Sequence, residues 1–204
     1  MKLLKRKSRI RYKAGKKPED KTKKRLKLGG LAVFFAIVGL VAGLYLMSIR
    51  LAPDFGSNHA VEAASSEPTD DRVIIPSADI NVKIFEGGQE ALNKGAWHRY
   101  PERGDPEKGG NFILSGHRFA FRLTPWDTRQ WSVFYNIDKV HDGTEIIIHW
   151  HHKKYLYKVD KRYKVSPDQI SIENPSKTAK LTLYTCSLGG AYDGREVVEA
   201  LPEN

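Results

Sequence analysis

One thiol stands among the 204 residues: Cys186, which ends the run Leu181-Thr182-Leu183-Tyr184-Thr185-Cys186. A lone cysteine reads equally as a small buried hydrophobe or as a nucleophile. The nucleophilic reading needs a partner that raises the thiolate fraction and shuttles a proton, and histidine is the natural one. It also needs a donor or cation for charge developing on a carbonyl oxygen. Arg195 is a candidate, although it reads equally as a surface partner of Glu196 or Glu199. Seven histidines are available. His59 lies in a linker composition, and His98 and His141 in loop or turn contexts, expected at the surface. His149, His151 and His152 cluster at a hairpin. Alternation along a hairpin sends adjacent side chains to opposite faces, and no thiol or carboxylate has ligand spacing to them, so no metal site is expected there. His117 differs. It follows an apolar strand and Gly116, where a side chain can project over a groove. Spacing alone does not bring it to Cys186, 69 residues later.

The elements that must position these groups read as short strands. Val73-Ile74-Ile75 is stopped by Pro76. Residues 80–85 alternate, and Gln89 to Leu92 forms one helical turn. Residues 99–110 are loop, and Asn111 to Ser115 is a strand ending at Gly116-His117-Arg118. Thr124 to Arg129 reads as a surface loop, and Val133 to Tyr135 as a brief strand or turn. Thr144 to Trp150 and Tyr155 to Val159 make a hairpin across His151-His152. Leu181 to Cys186 and Arg195 to Ala200 close the domain, with Ser187 to Gly194 as the loop between them. Helical periodicity of ten or more residues is absent from this part. Seven or eight short strands with Gly/Pro loops argue for a small all-β antiparallel barrel or sandwich.

The formal charge of +10 misleads as an average. Residues 1–27 hold fourteen Lys or Arg against Glu19 and Asp20, a net of +12, while the remainder holds twenty basic against twenty-two acidic side chains, a net of −2. The basicity belongs to a tail, which argues against a nucleic-acid-binding domain. Leu28 to Ile49 then carries no charge. Those residues rise about 33 Å as a helix, enough for a hydrocarbon core of about 30 Å. Residues 1–27 are therefore expected as a basic cytoplasmic tail, 28–49 as an uncleaved transmembrane anchor and 50–71 as an extracellular linker, with a β-domain over 72–204. Gly39 and Gly43 form a small-x-x-x-small pair, from which no dimer is assigned.

Outside the cell cysteines usually pair as disulfides; a single retained thiol suggests burial or use. At this point the combination of motifs is similar to that of a known family. Gly110-Asn111-Phe112-Ile113-Leu114-Ser115-Gly116-His117-Arg118 resembles the histidine motif of sortases, Thr182-Leu183-Tyr184-Thr185-Cys186 their nucleophile signature, and Arg195-Glu196-Val197-Val198 the arginine strand. The resemblance covers roughly 72–201, with lesser matches at Ala91-Leu92-Asn93-Lys94-Gly95, the Gly143 turn and Tyr155 to Val159. Departures are Ser115 where many members have alanine, and Asp142-Gly143-Thr144 at the turn; the Thr124–Arg129 segment has no match.

The resemblance implies an eight-stranded β-barrel with short helical turns, and a membrane-anchored cysteine transpeptidase of Gram-positive-type cells. Carried over, Cys186 is the nucleophile on an LPxTG-like C-terminal sorting signal, His117 the general acid and then base, and Arg195 the substrate or oxyanion ligand. Thr185 lines the groove beside the thiol. A thioester forms and an amine resolves it, from a peptidoglycan precursor or a pilin lysine. Without a clear lid motif before the barrel, the cell-wall amine is favoured; Ala52-Pro53-Asp54-Phe55 is only superficially lid-like. An unperturbed thiol near 8.5 and imidazole near 6.5 are mostly neutral at pH 7, so slow turnover and a bell-shaped pH profile are expected. No cofactor is implied. Calcium stimulation is left open, because Glu102, Asp105 and Glu107 read as free surface carboxylates. The expected partners are secreted proteins bearing sorting signals, the acceptor amine and the membrane. The rival reading from another class is an anchored, non-catalytic β-barrel binding module with a structural Cys186.

Overall fold

The computed structural model describes Gly15, residues 21–54 and residues 59–203, with only the backbone of residues 21–29. Most of the basic tail and linker residues 55–58, including Phe55, lie outside the described residues. The chain divides into two compact units, Met1–Leu44 and Tyr45–Asn204. Helix α1, Lys21–Leu51, runs across that boundary. Its apolar part, within Gly30–Asp54, is long and apolar enough to cross a membrane, with a mean hydropathy of 2.4.

The second unit is a closed barrel. The strands are β1 (Arg72–Ile75), β2 (Ile80–Phe85), β3 (Ala96–His98), the two-residue β4 (Gly104–Asp105), β5 (Gly109–Gly116), β6 (Glu145–Trp150), β7 (Lys153–Val165), β8 (Lys180–Ser187) and β9 (Gly190–Pro202). Their order is β3-β2-β1-β6-β7-β9-β8-β5, and β3 pairs back onto β5 to close the ring of eight; β4 hangs on β5. The barrel is mixed, where the patterning suggested antiparallel pairing throughout. The β2–β3 and β5–β8 pairs are parallel. A parallel pair needs a long crossover, and residues 117–179 supply it between β5 and β8.

Alternation fills the interior. Val73 and Ile75, Phe112 and Leu114, Ile146, Ile148 and Trp150, Leu181 and Leu183, and Val198 and Ala200 pack into one buried cluster. The opposite faces of β1 and β6 are also covered. Helix α2 (Ala60–Ser65) lays Ala60 and its neighbours over Ile74 and Ile147, so the apolar runs at 73–75 and 146–148 are buried on both sides. Within the linker expected over 50–71, residues 60–65 thus form a short helix packed on the barrel. On the other flank Ile172, from the short helical turn Ile170–Glu173, packs with Ile113, Tyr184 and Val197.

Three further expectations are corrected. Thr124–Arg129 is not a loop, since helix α3 spans Pro125–Trp131. Thr124 Oγ1 accepts from the Asp127 amide at 3.1 Å and Pro125 occupies the first turn, which together make a strong helix start. His98 is fully buried, not superficial; its ring bridges Glu86 at 2.9 Å and the Gly104 carbonyl at 3.1 Å, edge-on to Phe112 and Trp150. The acidic loop is not free. Asp105 is buried and accepts from the amides of Glu107 and Lys108 and from Lys108 Nζ, while Glu107 takes Lys153 and His151. The hairpin at His151-His152 is as expected. Both residues have positive φ, 48° and 62°, the twist that a two-residue hairpin turn requires.

Candidate active site

The parallel pairing of β5 with β8 sets Gly116 against Thr185. His117 and Cys186 each follow by one residue, so they leave the ends of neighbouring strands on the same side of the barrel. On the other flank of β8, Cys186 is the register partner of Arg195 on β9. Residues directly paired across a ladder share a face. The fold therefore gathers three side chains that lie far apart in the chain. The β8–β9 connection is tighter than the loop expected over Ser187–Gly194: β8 runs to Ser187, β9 starts at Gly190, and the register shifts just after Cys186. The extra residues form a knot in which Asp193 accepts from Ser187 and from Lys164 Nζ, the latter at 2.8 Å. Those two partners, Lys164 first, hold the Asp193 carboxyl below its usual range.

A groove of about 570 Å³ opens over these residues. His117, Cys186 and Arg195 all line it, together with Leu92, Trp97, Arg99, Leu188 and Ala191. Cys186 is half-buried. His117 Nε2 lies 3.1 Å from Asn93 Oδ1. With the amide oxygen as acceptor, the imidazole proton sits on Nε2 and Nδ1 is left as the basic nitrogen. Burial, and then the positive charge of Arg122, depress the His117 pKa, so its neutral form predominates at neutral pH.

Besides Arg99, the groove is lined by Arg118 and Arg195, and their surroundings separate them. Arg118 is buried and spent on Asp138 at 2.8 Å. Arg195 Nη1 donates to the carbonyls of Ala191 (2.7 Å) and Gly194 (3.1 Å). Neither glutamate named as its surface partner takes it: Glu196 pairs with Arg162, and Glu199 with Lys161 and Lys180. Two carbonyls orient the guanidinium, and no carboxylate among the described residues forms an ion pair with it.

Thr185, expected to line the groove, is buried in the barrel wall and does not. Its hydroxyl donates to the Gly116 carbonyl at 2.7 Å and ties the β5 end to β8. Gly116 is fixed by steric need, because a Cβ there would stand 2.5 Å from the Phe134 ring. Asn93 and Arg99 were not singled out by residue type. Arg99 is clamped by the hydroxyls of Tyr184 (3.0 Å) and Tyr100 (2.9 Å), lies 3.1 Å from Glu173 and stacks on Trp97. Among the described residues no group of three His, Cys, Asp or Glu is arranged to hold a metal.

A family model described as a sortase domain matches residues 73–203. Against curated protein sequences the chain has no significant match. Among solved structures it is similar to Listeria monocytogenes sortase A, with 23% identity over 68% of this chain and 89% of that one and a TM-score of 0.54. It is also similar to a Clostridium perfringens sortase D5 transpeptidase (19%, covering 79% and 99%, TM-score 0.55). A third is Streptococcus pneumoniae sortase C, described in connection with pilin substrate specificity (19%, covering 74% and 74%, TM-score 0.53).

Proposed function

Because the chain belongs to the sortase family, we propose that it is a membrane-anchored cysteine transpeptidase that cleaves a C-terminal, LPxTG-like sorting signal and joins the new carboxyl end to an amine. The observation that supports this reading is the strand register that brings Cys186 to the strand end beside His117 and opposite Arg195, all three lining one groove. Cys186 passes its proton to His117 and, as the thiolate, attacks the scissile carbonyl carbon. The Arg195 guanidinium, oriented by the Ala191 and Gly194 carbonyls, faces the negative charge that develops on oxygen. The C–N bond breaks as His117 gives a proton to the departing amine, leaving an acyl thioester on Cys186. An incoming amine attacks that thioester, His117 takes its proton, and Cys186 leaves as the thiolate, which takes that proton back and restores the starting pair. Thr185 serves this site as a positioning residue, through the strand end that bears His117.

The acceptor divides the reading. A pilin lysine gains weight over a cell-wall amine because a sortase C concerned with pilin substrates is among the fold's neighbours. Against it, no described residue of the segment before β1 lines the groove as a lid would. The positive tail places the N-terminus in the cytoplasm and the barrel outside.

The test incubates the full chain in lipid nanodiscs with sorting-type peptides and with glycine, diaminopimelate or lysine amines, and reads products by mass. A thioester on Cys186 and a peptide–amine product are expected, both lost in Cys186→Ala, with the product mass naming the acceptor. Release of free acid alone identifies hydrolysis. Turnover that survives Cys186→Ala would sink the mechanism, and peptide binding by the native chain with neither thioester nor product would favour the binding-module reading.

A further inference from the structure

The segment after His117 carries a feature the chemistry does not use. Phe121, Leu123 and Trp126 fall within six residues and are 55%, 79% and 70% exposed. Isolated exposed apolar residues are ordinary, but three large ones on one short segment make a patch that marks an interaction surface. Its surroundings indicate what it meets. The Tyr45 hydroxyl donates to the Leu123 carbonyl. Arg50 donates to the Tyr135 hydroxyl at 3.0 Å and lies over the Phe119 ring at 5.0 Å. Helix α3 packs against the turn Ala52–Asp54 that ends α1. Tyr45, Leu46 and Met47, the last apolar turn of α1, are themselves 48%, 56% and 58% exposed. All these contacts lie within the second unit.

We propose that Phe121, Leu123 and Trp126 insert into the headgroup–acyl boundary of the membrane that α1 crosses and give the barrel a second attachment beside its helix. Tyr45 stands at the end of the apolar span, where an amphipathic ring settles at the interface. The Leu123 carbonyl bonded to Tyr45 then lies at that depth, with Phe121 and Trp126 two and three positions away along the chain. Trp, Phe and Leu are the residues that partition there, and Arg50 and Arg122 flank them, suited to anionic headgroups. The attachment fixes more than the helix can. Phe121 lies four positions after His117, at most about 14 Å of extended chain, so the groove is held close to the lipid surface. A polypeptide still tethered in the same bilayer reaches it there. The attachment itself depends on α1 crossing the membrane and not on the chemistry at Cys186.

The experiment uses the full chain reconstituted into vesicles of phosphatidylcholine and phosphatidylglycerol brominated at a shallow acyl position, and reads tryptophan fluorescence. The native chain is expected to be quenched, and Trp126→Ser to lose most of that quenching although Trp97, Trp131 and Trp150 remain. Equal quenching of both chains overturns the proposal. A second reading does not depend on that variant: Leu123→Cys in a Cys186→Ser background, carrying a polarity-sensitive fluorophore, is compared with exposed Lys177→Cys in the same background. A blue-shifted emission at 123 relative to 177 is expected in vesicles. Identical emission at the two sites, or a shift that appears only as copies associate at high protein-to-lipid ratio, assigns the patch elsewhere and overturns the membrane docking.

Discussion

Among the described residues no hydrogen bond joins Cys186 to His117; each is set by its neighbours. His117 depends on Asn93, whose Oδ1 lies 3.1 Å from Nε2. Asn93→Ala removes that acceptor, frees the ring to turn and allows the other tautomer. The loss of one positioning hydrogen bond, about 1 kcal/mol, corresponds to roughly a five-fold fall in kcat with little change in KM. Asn93→Asp should retain the orientation and raise the His117 pKa, which separates positioning from mere folding. Arg122 acts through charge. Burial first, and Arg122 second, make the imidazolium unfavourable. Removing the guanidinium in Arg122→Gln therefore moves the His117 titration to higher pH. Followed by the imidazole proton resonances, the midpoint should rise, and the acid-side limb of the activity profile should move the same way. A midpoint that falls or stays put would show that Arg122 does not bear on the ring. Of these residues the sequence displayed His117, Cys186 and Arg195, because each sits in a recognisable local run. Asn93 becomes informative only once the fold brings it beside a ring 24 positions away. Arg99 gave no signal, since an arginine among aromatic residues looks the same whether it is solvated or clamped.

At the scale of elements, the site depends on the ends of β5 and β8 staying level. Two contacts enforce this: the Thr185 hydroxyl on the Gly116 carbonyl, and the bare face of Gly116 against Phe134. Gly116→Ala drives a methyl into a fully buried ring and against Val133, so the ring or the strand end must shift. Overpacking of this kind costs about 1–3 kcal/mol, read as a lower Tm, and activity should fall further than stability because His117 is the next residue. An unchanged Tm with full turnover would mean the ring yields without moving the strand. Strand existence was legible here because the barrel's inner face imposes alternation, as at Ile80, Val82 and Ile84. The parallel pairing of β5 with β8 was not, because alternation is identical in either sense and the partner is set by long-range closure. Helix α3 escaped for a different reason: seven residues are too few for a 3.6-residue period, although Thr124, Pro125 and Asp127 had already spelled its start. Helix α2 was hidden by an alanine- and serine-rich composition that reads as linker until Ile74 and Ile147 are seen to need a cover.

For the molecule as a whole, charge and apolar surface are segregated along the chain. The basic tail precedes an uncharged stretch long enough to cross a bilayer, and everything beyond it is slightly acidic. Positive flanks are retained on the cytoplasmic side, so the groove should open on the outer surface. The chain carries its own reporter, because Cys186 is the one cysteine and lines a groove open to solvent. A membrane-impermeant maleimide added to intact cells should label the full chain at Cys186, and Cys186→Ala should abolish the labelling. Reaction only after permeabilisation would reverse the orientation and remove secreted proteins from reach. The same label reports on the groove's occupancy. A sorting-type peptide that fills the groove should slow the maleimide, and a thioester should block it until an amine is supplied. If the thiol remains fully reactive with peptide bound, the peptide does not lie across Cys186. The barrel would then be holding its ligand somewhere other than between His117 and Arg195.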